Sequence, residues 1–117
     1  MKKMLATIPG LFLALGLAAI SMRQANAAPK FGTCTVAGVA VFESRIHVRC
    51  SAPVSGFTFF AVSTSDAQNA LRFLTIFNSA RVNNRQLTIL FDPADLSGSA
   101  MGCLNSDCRV ARGAELL

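Results

Sequence analysis

The chain has 117 residues, 52% of them hydrophobic, with a formal net charge of +5 and neither Trp nor Tyr. This length excludes a large multidomain protein, since domains usually hold about 50–200 residues. The positive charge would favour a nucleic-acid partner only if it belonged to the folded part of the chain.

Residues 1–27 have the features of a secretory signal peptide. Lys2 and Lys3 give a positively charged start, residues 11–20 form an uninterrupted apolar run, and small residues precede position 28. We expect cleavage after Ala27. The alternative is an uncleaved anchor helix, but the apolar run is shorter than the about 20 residues that a membrane span needs.

Cleavage changes the charge of the chain because it removes Lys2, Lys3 and Arg23. Eight basic residues then face six acidic ones, and the net charge falls from +5 to +2. Such a domain lacks the basic footprint of a nucleic-acid-binding protein. We therefore predict a secreted or periplasmic protein with no nucleic-acid partner and no membrane span after cleavage.

Four cysteines in a small exported domain predict two disulfides. They are Cys34, Cys50, Cys103 and Cys108. A metal site is the alternative, but close Cys-x2-Cys pairs are missing and the chain has one histidine. Three pairings are open, and we favour Cys34 with Cys50 and Cys103 with Cys108, since the second pair encloses a short polar turn. We expect no metal and no cofactor.

β-Branched, small and aromatic residues predict three strands in the first half of the domain, over residues 33–42, 46–51 and 57–62. Gly38 marks a bulge in the first strand. The second strand alternates between an apolar face and a polar face that holds His47 and Arg49.

The pattern then changes to helical spacing and predicts a helix from about residue 66 to residue 80 or 81. Ser65 and Gln68 have the form of a capping box, and Asn83 begins the stop signal. The apolar arc is wider than one sheet face requires. It indicates either a second contact surface, for a groove or a neighbouring subunit, or a helix sunk into its own domain. The candidate interface residues are Phe73, Ile76, Phe77 and Ala80.

Two further strands, over residues 86–91 and 108–116, complete the order β-β-β-α-β-β. The predicted fold is therefore mainly β with one helix. This is the element order of the small five-stranded barrel called the OB-fold, and a bent first strand suits it. An open antiparallel sheet with one helix on a face is the alternative. We predict a disulfide-stapled OB-fold-like barrel over residues 28–117.

Several short segments of the domain resemble a known group of proteins. They are residues 60–64, Ala70-Leu71, residues 87–92, Gly102-Cys103 and Cys108-Arg109. These segments resemble small exported bacterial proteins similar to the B subunit of subtilase cytotoxin and, more remotely, pertussis-toxin-type binding subunits. The resemblance implies an OB-fold that forms rings of five, with the helices around a central pore, and that binds host glycans.

The residues that could carry chemistry form no catalytic set. His47 is expected to be a solvated histidine on a strand face. Asp92 and Asp95 resemble the start of a calcium loop, but the distal Glu is missing and a turn is the better interpretation. Arginines at 72, 81 and 85 are expected on a solvated helix face, with a binding edge as the alternative. Phenylalanines at 57, 59 and 60 are expected in the core rather than in a base-stacking platform.

The sequence predicts two candidate functions. The first is an exported, non-enzymatic binding protein similar to toxin-type B subunits, with a glycan or cell-surface ligand and a homo-oligomeric state, pentameric if toxin-like. The second is a periplasmic structural or inhibitory protein that binds another protein through the helix or the stapled loop. An exported enzyme is a third and weaker hypothesis, because no nucleophile stands beside a base.

Overall fold

Strands dominate the part of the chain that the computed structural model describes, residues 28–117. The predicted signal peptide, residues 1–27, lies outside these described residues. In chain order the elements are β1 (Lys30–Val41), β2 (Arg45–Val54), β3 (Phe57–Ser63), α1 (Ala67–Val82), β4 (Gln86–Phe91), a 3-10 helix (Ser97–Met101), β5 (Cys108–Val110) and β6 (Gly113–Leu116). The mainly β fold with one helix is confirmed, and the predicted last strand is divided into β5 and β6.

The strands form one curled sheet in the order β5-β3-β2-β1-β4-β6. The first part of β1 pairs antiparallel with β4, and its second part pairs antiparallel with β2. At the margins, β5 runs parallel to β3 and β6 runs antiparallel to β4. Because β5 and β6 belong to the single segment 108–116, this segment joins the two margins of the sheet.

Two backbone hydrogen bonds mark the point where the sheet closes. The amide of Ala111 donates to the carbonyl of Ala61 in β3 at 2.9 Å, and the next amide, of Arg112, donates to the carbonyl of Leu90 in β4 at 2.8 Å. Successive residues thus bond to opposite sides of the sheet. The result is the predicted OB-like barrel rather than an open sheet with a helix on one face.

The bend in β1 lies where the sequence predicts it. The register between β1 and β2 shifts between Val36 and Gly38, which confirms the bulge. Bulges bend a strand and increase its twist, so β1 can turn from one partner strand to the other. Glycine also leaves room here, since a Cβ at position 38 would stand 3.1 Å from Nη2 of Arg49.

The helix α1 covers one end of the barrel, where it contacts β1, β2, β3, β4 and β6. Phe77 and Ala80 are 0% and 1% exposed and belong to the main core. Phe73 and Ile76 are partly buried and pack against the same core. The structure therefore accounts for most of the wide apolar arc by depth of burial within one domain, and a subunit interface through this helix stays a prediction.

The helix begins differently from the prediction. Asp66 is its N-cap, and the carboxylate accepts a hydrogen bond from the amide of Asn69 at 3.1 Å. The predicted capping box of Ser65 and Gln68 is wrong, because the Ser65 hydroxyl instead shares a 2.8 Å hydrogen bond with the hydroxyl of Ser63. Asp is as good an N-cap as Ser, so a shift of one residue costs nothing.

Both favoured disulfide pairings are confirmed. Cys34 and Cys50 join β1 to β2 inside the barrel, with their Cα atoms 5.3 Å apart. Cys103 and Cys108 close a short loop, with their Cα atoms 5.2 Å apart. Disulfides persist in oxidising compartments, and two of them in so small a domain indicate a protein that works outside the cytoplasm. Within residues 28–117, no helix has the length and apolar character needed to cross a membrane.

Candidate functional site

A second, smaller apolar cluster lies on the outer face of the sheet. Its buried members are Ala61, Cys103 and Cys108, and Phe59 and Met101 pack against them. These contacts bring the long connection between β4 and β5 onto the outside of β3. We call this connection, residues 92–107, the covering loop. The disulfide between Cys103 and Cys108 therefore holds the loop in its folded shape at the point where the loop meets the sheet.

Hydrogen bonds fix the end of the covering loop to β3. The carboxylate of Asp107 accepts from the amide of Thr58 at 2.8 Å. The main-chain carbonyl of Asp107 also accepts from the amide of Phe59 at 3.1 Å. The loop thus continues the backbone pairing of β3 beyond β5.

A buried arginine secures both ends of the covering loop. Arg109 is 8% exposed, and its Nε donates to the carbonyl of Pro93 at 2.7 Å. Its Nη1 donates to the carbonyl of Asn105 at 2.7 Å, and the guanidinium stacks 4.1 Å above the ring centre of Phe57. Hydrogen bonds to a charged donor are stronger than neutral ones, so this arginine holds the loop in a fixed position.

A cavity of about 160 Å³ lies between the covering loop and the outer face of β2 and β3. In OB-folds this face, with the loops that follow the first and fourth strands, is where oligonucleotides and oligosaccharides bind. The cavity is therefore the candidate functional site. It is lined by Arg45, His47, Phe59, Gly102, Leu104, Asp107 and Cys108.

Arg45 is held against one wall of the cavity. Its guanidinium lies 4.2 Å from the ring centre of Phe42, and Nη1 donates to the carbonyl of Met101 at 3.1 Å. Its Nε is buried and has no hydrogen-bond partner among the described residues. Glycine is needed at 102, where φ is +92° and a Cβ would stand 2.5 Å from Nη1 of Arg45.

His47 is half-buried between two aromatic rings. Its ring centre is 5.2 Å from that of Phe42 and 5.0 Å from that of Phe59. The expectation of a solvated histidine is therefore wrong, because the β1–β2 turn and β3 each place a ring beside it. Burial lowers the pKa of His47 below its ordinary value of 6.5, and the positive charges of Arg45 and Arg49 lower this pKa further.

This lowered pKa predicts that stability depends on pH. The folded chain binds a proton at His47 less readily than the unfolded chain, so the free energy of unfolding should fall as pH decreases below about 6.5. The free energy of unfolding should stop falling once the pH is below the pKa that His47 has in the folded chain. Urea unfolding between pH 5 and 8 measures it, and a His47→Gln variant should remove the dependence, since the chain contains one histidine. If the free energy of unfolding of the His47→Gln variant depended on pH as strongly as that of the unchanged protein, the assignment to His47 would be contradicted.

Basic side chains lie in the cavity and beside it. Arg45, His47 and Arg49 alternate along the outer face of β2. Neither arginine has a carboxylate within salt-bridge distance in the described part of the chain. The carboxylate that lines the cavity, of Asp107, accepts the hydrogen bond from Thr58 described above. Arg45 therefore lines the cavity without a carboxylate partner, and Nη2 of Arg49, outside the cavity lining, donates to the carbonyl of Ala37 at 3.5 Å.

Other residues singled out in the sequence lie elsewhere. Asp92 and Asp95 accept hydrogen bonds from backbone amides of their own turn and face the guanidinium of Arg112, at 3.8 Å and 3.2 Å. This agrees with a turn rather than a calcium loop. Arg72 and Arg81 are exposed on the helix and are not among the residues that line the cavity.

The phenylalanines of β3 divide between the two faces of the sheet. Phe60 is fully buried in the main core, and Phe59 lines the cavity on the opposite face.

Comparisons of the chain with protein families, with curated proteins and with solved structures found no match. The cavity has apolar surface from Phe59 and Leu104, and its ionisable side chains are Arg45, His47 and Asp107.

Proposed function

We propose that this protein is an exported, non-enzymatic binding protein that takes its ligand on the outer face of β2 and β3. The observation that carries the proposal is the cavity between β2 and the covering loop, at the position where OB-folds bind their ligands. Its walls are held by a disulfide and by Arg109. A site fixed before binding loses little conformational entropy when a ligand enters.

The chemistry of the walls supports a glycan or another cell-surface group as the ligand. Phe59 and Leu104 offer apolar surface, against which the carbon face of a sugar ring can pack. Arg45 and Asp107 place a donor and an acceptor at the rim, as recognition of hydroxyl groups requires.

A glycan array tests this proposal, with the exported protein purified from the periplasm. Leu104 is 70% exposed, so a Leu104→Asn variant should fold normally and bind array ligands about tenfold more weakly, which is about 1.4 kcal/mol. The matched control is Val82→Asn, because Val82 is 79% exposed on the helix and far from the cavity lining. A blank array, or equal losses in both variants, would contradict the proposal.

Binding to another protein is the second candidate function, and a separate surface favours it. An apolar groove of about 240 Å³ runs between α1 and the first two strands. Two of its residues, Val41 and Leu71, are 63% and 61% exposed. Sedimentation velocity separates the ring-forming binding protein from a protein that binds another protein. A pentamer supports the toxin-like ring, and a monomer argues against the ring and favours binding to a different protein.

A further inference from the structure

We infer that the ligand of the cavity carries an anionic group, that Arg45 and His47 bind this group, and that His47 takes up a proton as it binds. This inference rests on the proposed function, since it names the chemistry of the same site. It concerns a carboxylate or phosphate group attached to an apolar body.

Three basic side chains follow one another along the outer face of β2. Residues two apart on a strand point to the same face and lie about 7 Å from each other, so Arg45, His47 and Arg49 form a row along β2. Each arginine lies against a glycine, Arg45 beside Gly102 and Arg49 beside Gly38. Arg45 is thereby placed at the cavity, whereas Arg49 is exposed and donates to the carbonyl of Ala37 in β1, outside the cavity lining.

The positive charge of Arg45 has no acidic partner among the described residues. Arg45 stacks on Phe42 and its Nη1 donates to one carbonyl, but no carboxylate of the described residues lies within salt-bridge distance of it. A guanidinium is always charged and readily donates to a carboxylate or phosphate oxygen. Such charge-assisted hydrogen bonds are about twice as strong as neutral ones.

Asp107 determines how such a ligand is oriented. Its carboxylate lines the cavity from the covering loop and repels an anion. The anionic group therefore binds at the Arg45 and His47 side of the cavity, where the nearby charges are positive. The apolar body of the ligand then faces Phe59 and Leu104, which form the apolar walls.

Proton uptake follows from the surroundings of His47. The charged groups that face its ring are Arg45 and Arg49 from β2 and Asp107 from the covering loop. In the free protein, burial and the two arginines lower the pKa of His47 and so disfavour its imidazolium form. A bound anion offsets the arginine charges and favours the imidazolium form, so binding raises the pKa of His47. By linkage, affinity rises as the pH falls.

The test uses phenylacetate, phenyl phosphate and the neutral isostere phenylacetamide, with NMR detection of the His47 ring in the exported protein. We expect phenylacetate to raise the pKa of His47 and to bind at least about fivefold more tightly at pH 5.5 than at pH 7.5. The comparison with phenyl phosphate distinguishes a carboxylate site from a phosphate site. Phenylacetamide should bind more weakly and leave the pKa of His47 unchanged.

Variants separate the basic row from positive charge elsewhere. Arg45→Gln should weaken phenylacetate binding at least about tenfold, Arg49→Gln, outside the cavity lining, should weaken it less, and Arg72→Gln, on the exposed helix surface, should not change it. In His47→Gln, phenylacetate binding should no longer vary with pH. Thermal unfolding of each variant shows whether the fold is retained.

Failure of this inference differs from failure of the proposed function. If phenylacetamide binds as tightly as the acids, or if the pKa of His47 does not move, the inference is overturned and the cavity is still a binding site. If no acid binds but the glycan array is positive, the inference is again overturned and the proposed function holds. If acids bind with the expected shift and the array is blank, the inference holds and the glycan proposal fails.

Discussion

Replacing Phe77 with alanine (F77A) is expected to lower the free energy of unfolding by about 3–5 kcal/mol. Phe77 is fully buried where α1 meets the barrel, and its ring lies 5.8 Å from that of Phe73. Removing it leaves a cavity among residues from several strands, which the closed sheet cannot collapse to fill. Urea unfolding followed by far-UV circular dichroism measures the loss.

Two control variants make this prediction decisive. Phe77→Leu should show a smaller loss, and it keeps the test possible if F77A does not fold. Leu71→Ala lies on the same helix at a 61% exposed position and should change stability by no more than about 0.5 kcal/mol. If F77A retained full stability but lost self-association, Phe77 would be an interface residue rather than a core residue.

The second large effect is expected from the disulfide inside the barrel. Replacing both Cys34 and Cys50 with alanine should lower the free energy of unfolding by about 3 kcal/mol, because this bond closes a loop with a sequence separation of 16. The same replacement at Cys103 and Cys108, with a separation of 5, should cost about 2 kcal/mol. Denaturant unfolding under non-reducing conditions measures both.

The two disulfides should also differ in their effect on binding. The bond between Cys103 and Cys108 shapes the covering loop. Its loss should therefore weaken ligand binding more than the loss of the bond between Cys34 and Cys50 does, although it should lower the free energy of unfolding less. The bond between Cys34 and Cys50 is buried in the main core, away from the cavity lining. If replacing Cys103 and Cys108 lowered the free energy of unfolding more than replacing Cys34 and Cys50, loop closure would not explain the stabilisation.

Much of the fold is predictable from the sequence because its signals are local. The alternation in β2 places Ile46, Val48 and Cys50 inside the barrel, and all three are buried. A glycine within β1 marks the bulge, and the short polar segment between Cys103 and Cys108 favours their pairing. Each of these features depends on residues close together in the chain, so no knowledge of the closed barrel is needed.

The candidate site is not predictable in this way. Arg45 and Gly102 are far apart in the sequence, and only the packing of the covering loop on β3 brings them together. His47 alternates like any residue on a solvated face, and its aromatic neighbours come from a turn and from another strand. The one local signal is the row of basic residues at 45, 47 and 49, which a solvated strand face explains equally well.

The division of the last strand has a similar reason. The alternation of apolar and polar residues is weak in segment 108–116, where Val110 and Ala111 are both apolar and Arg112 takes an otherwise apolar position, so periodicity alone does not show that the strand changes partner. The break arises because β5 pairs with β3 and β6 pairs with β4. Ala111, which is 5% exposed, lies at the change of partner. A strand that serves two partners can be recognised only when both partners are in place.

This shared segment has a consequence for the chain before it is fully folded. Until residues 108–116 dock, β3 and β4 each keep a row of unpaired amides and carbonyls, which can pair with the same strands of another molecule. Docking joins parts of the chain that are distant in sequence, and such contacts form late. Aggregation is therefore most favourable in the interval just before these residues reach their place, and the completed barrel removes both templates at once.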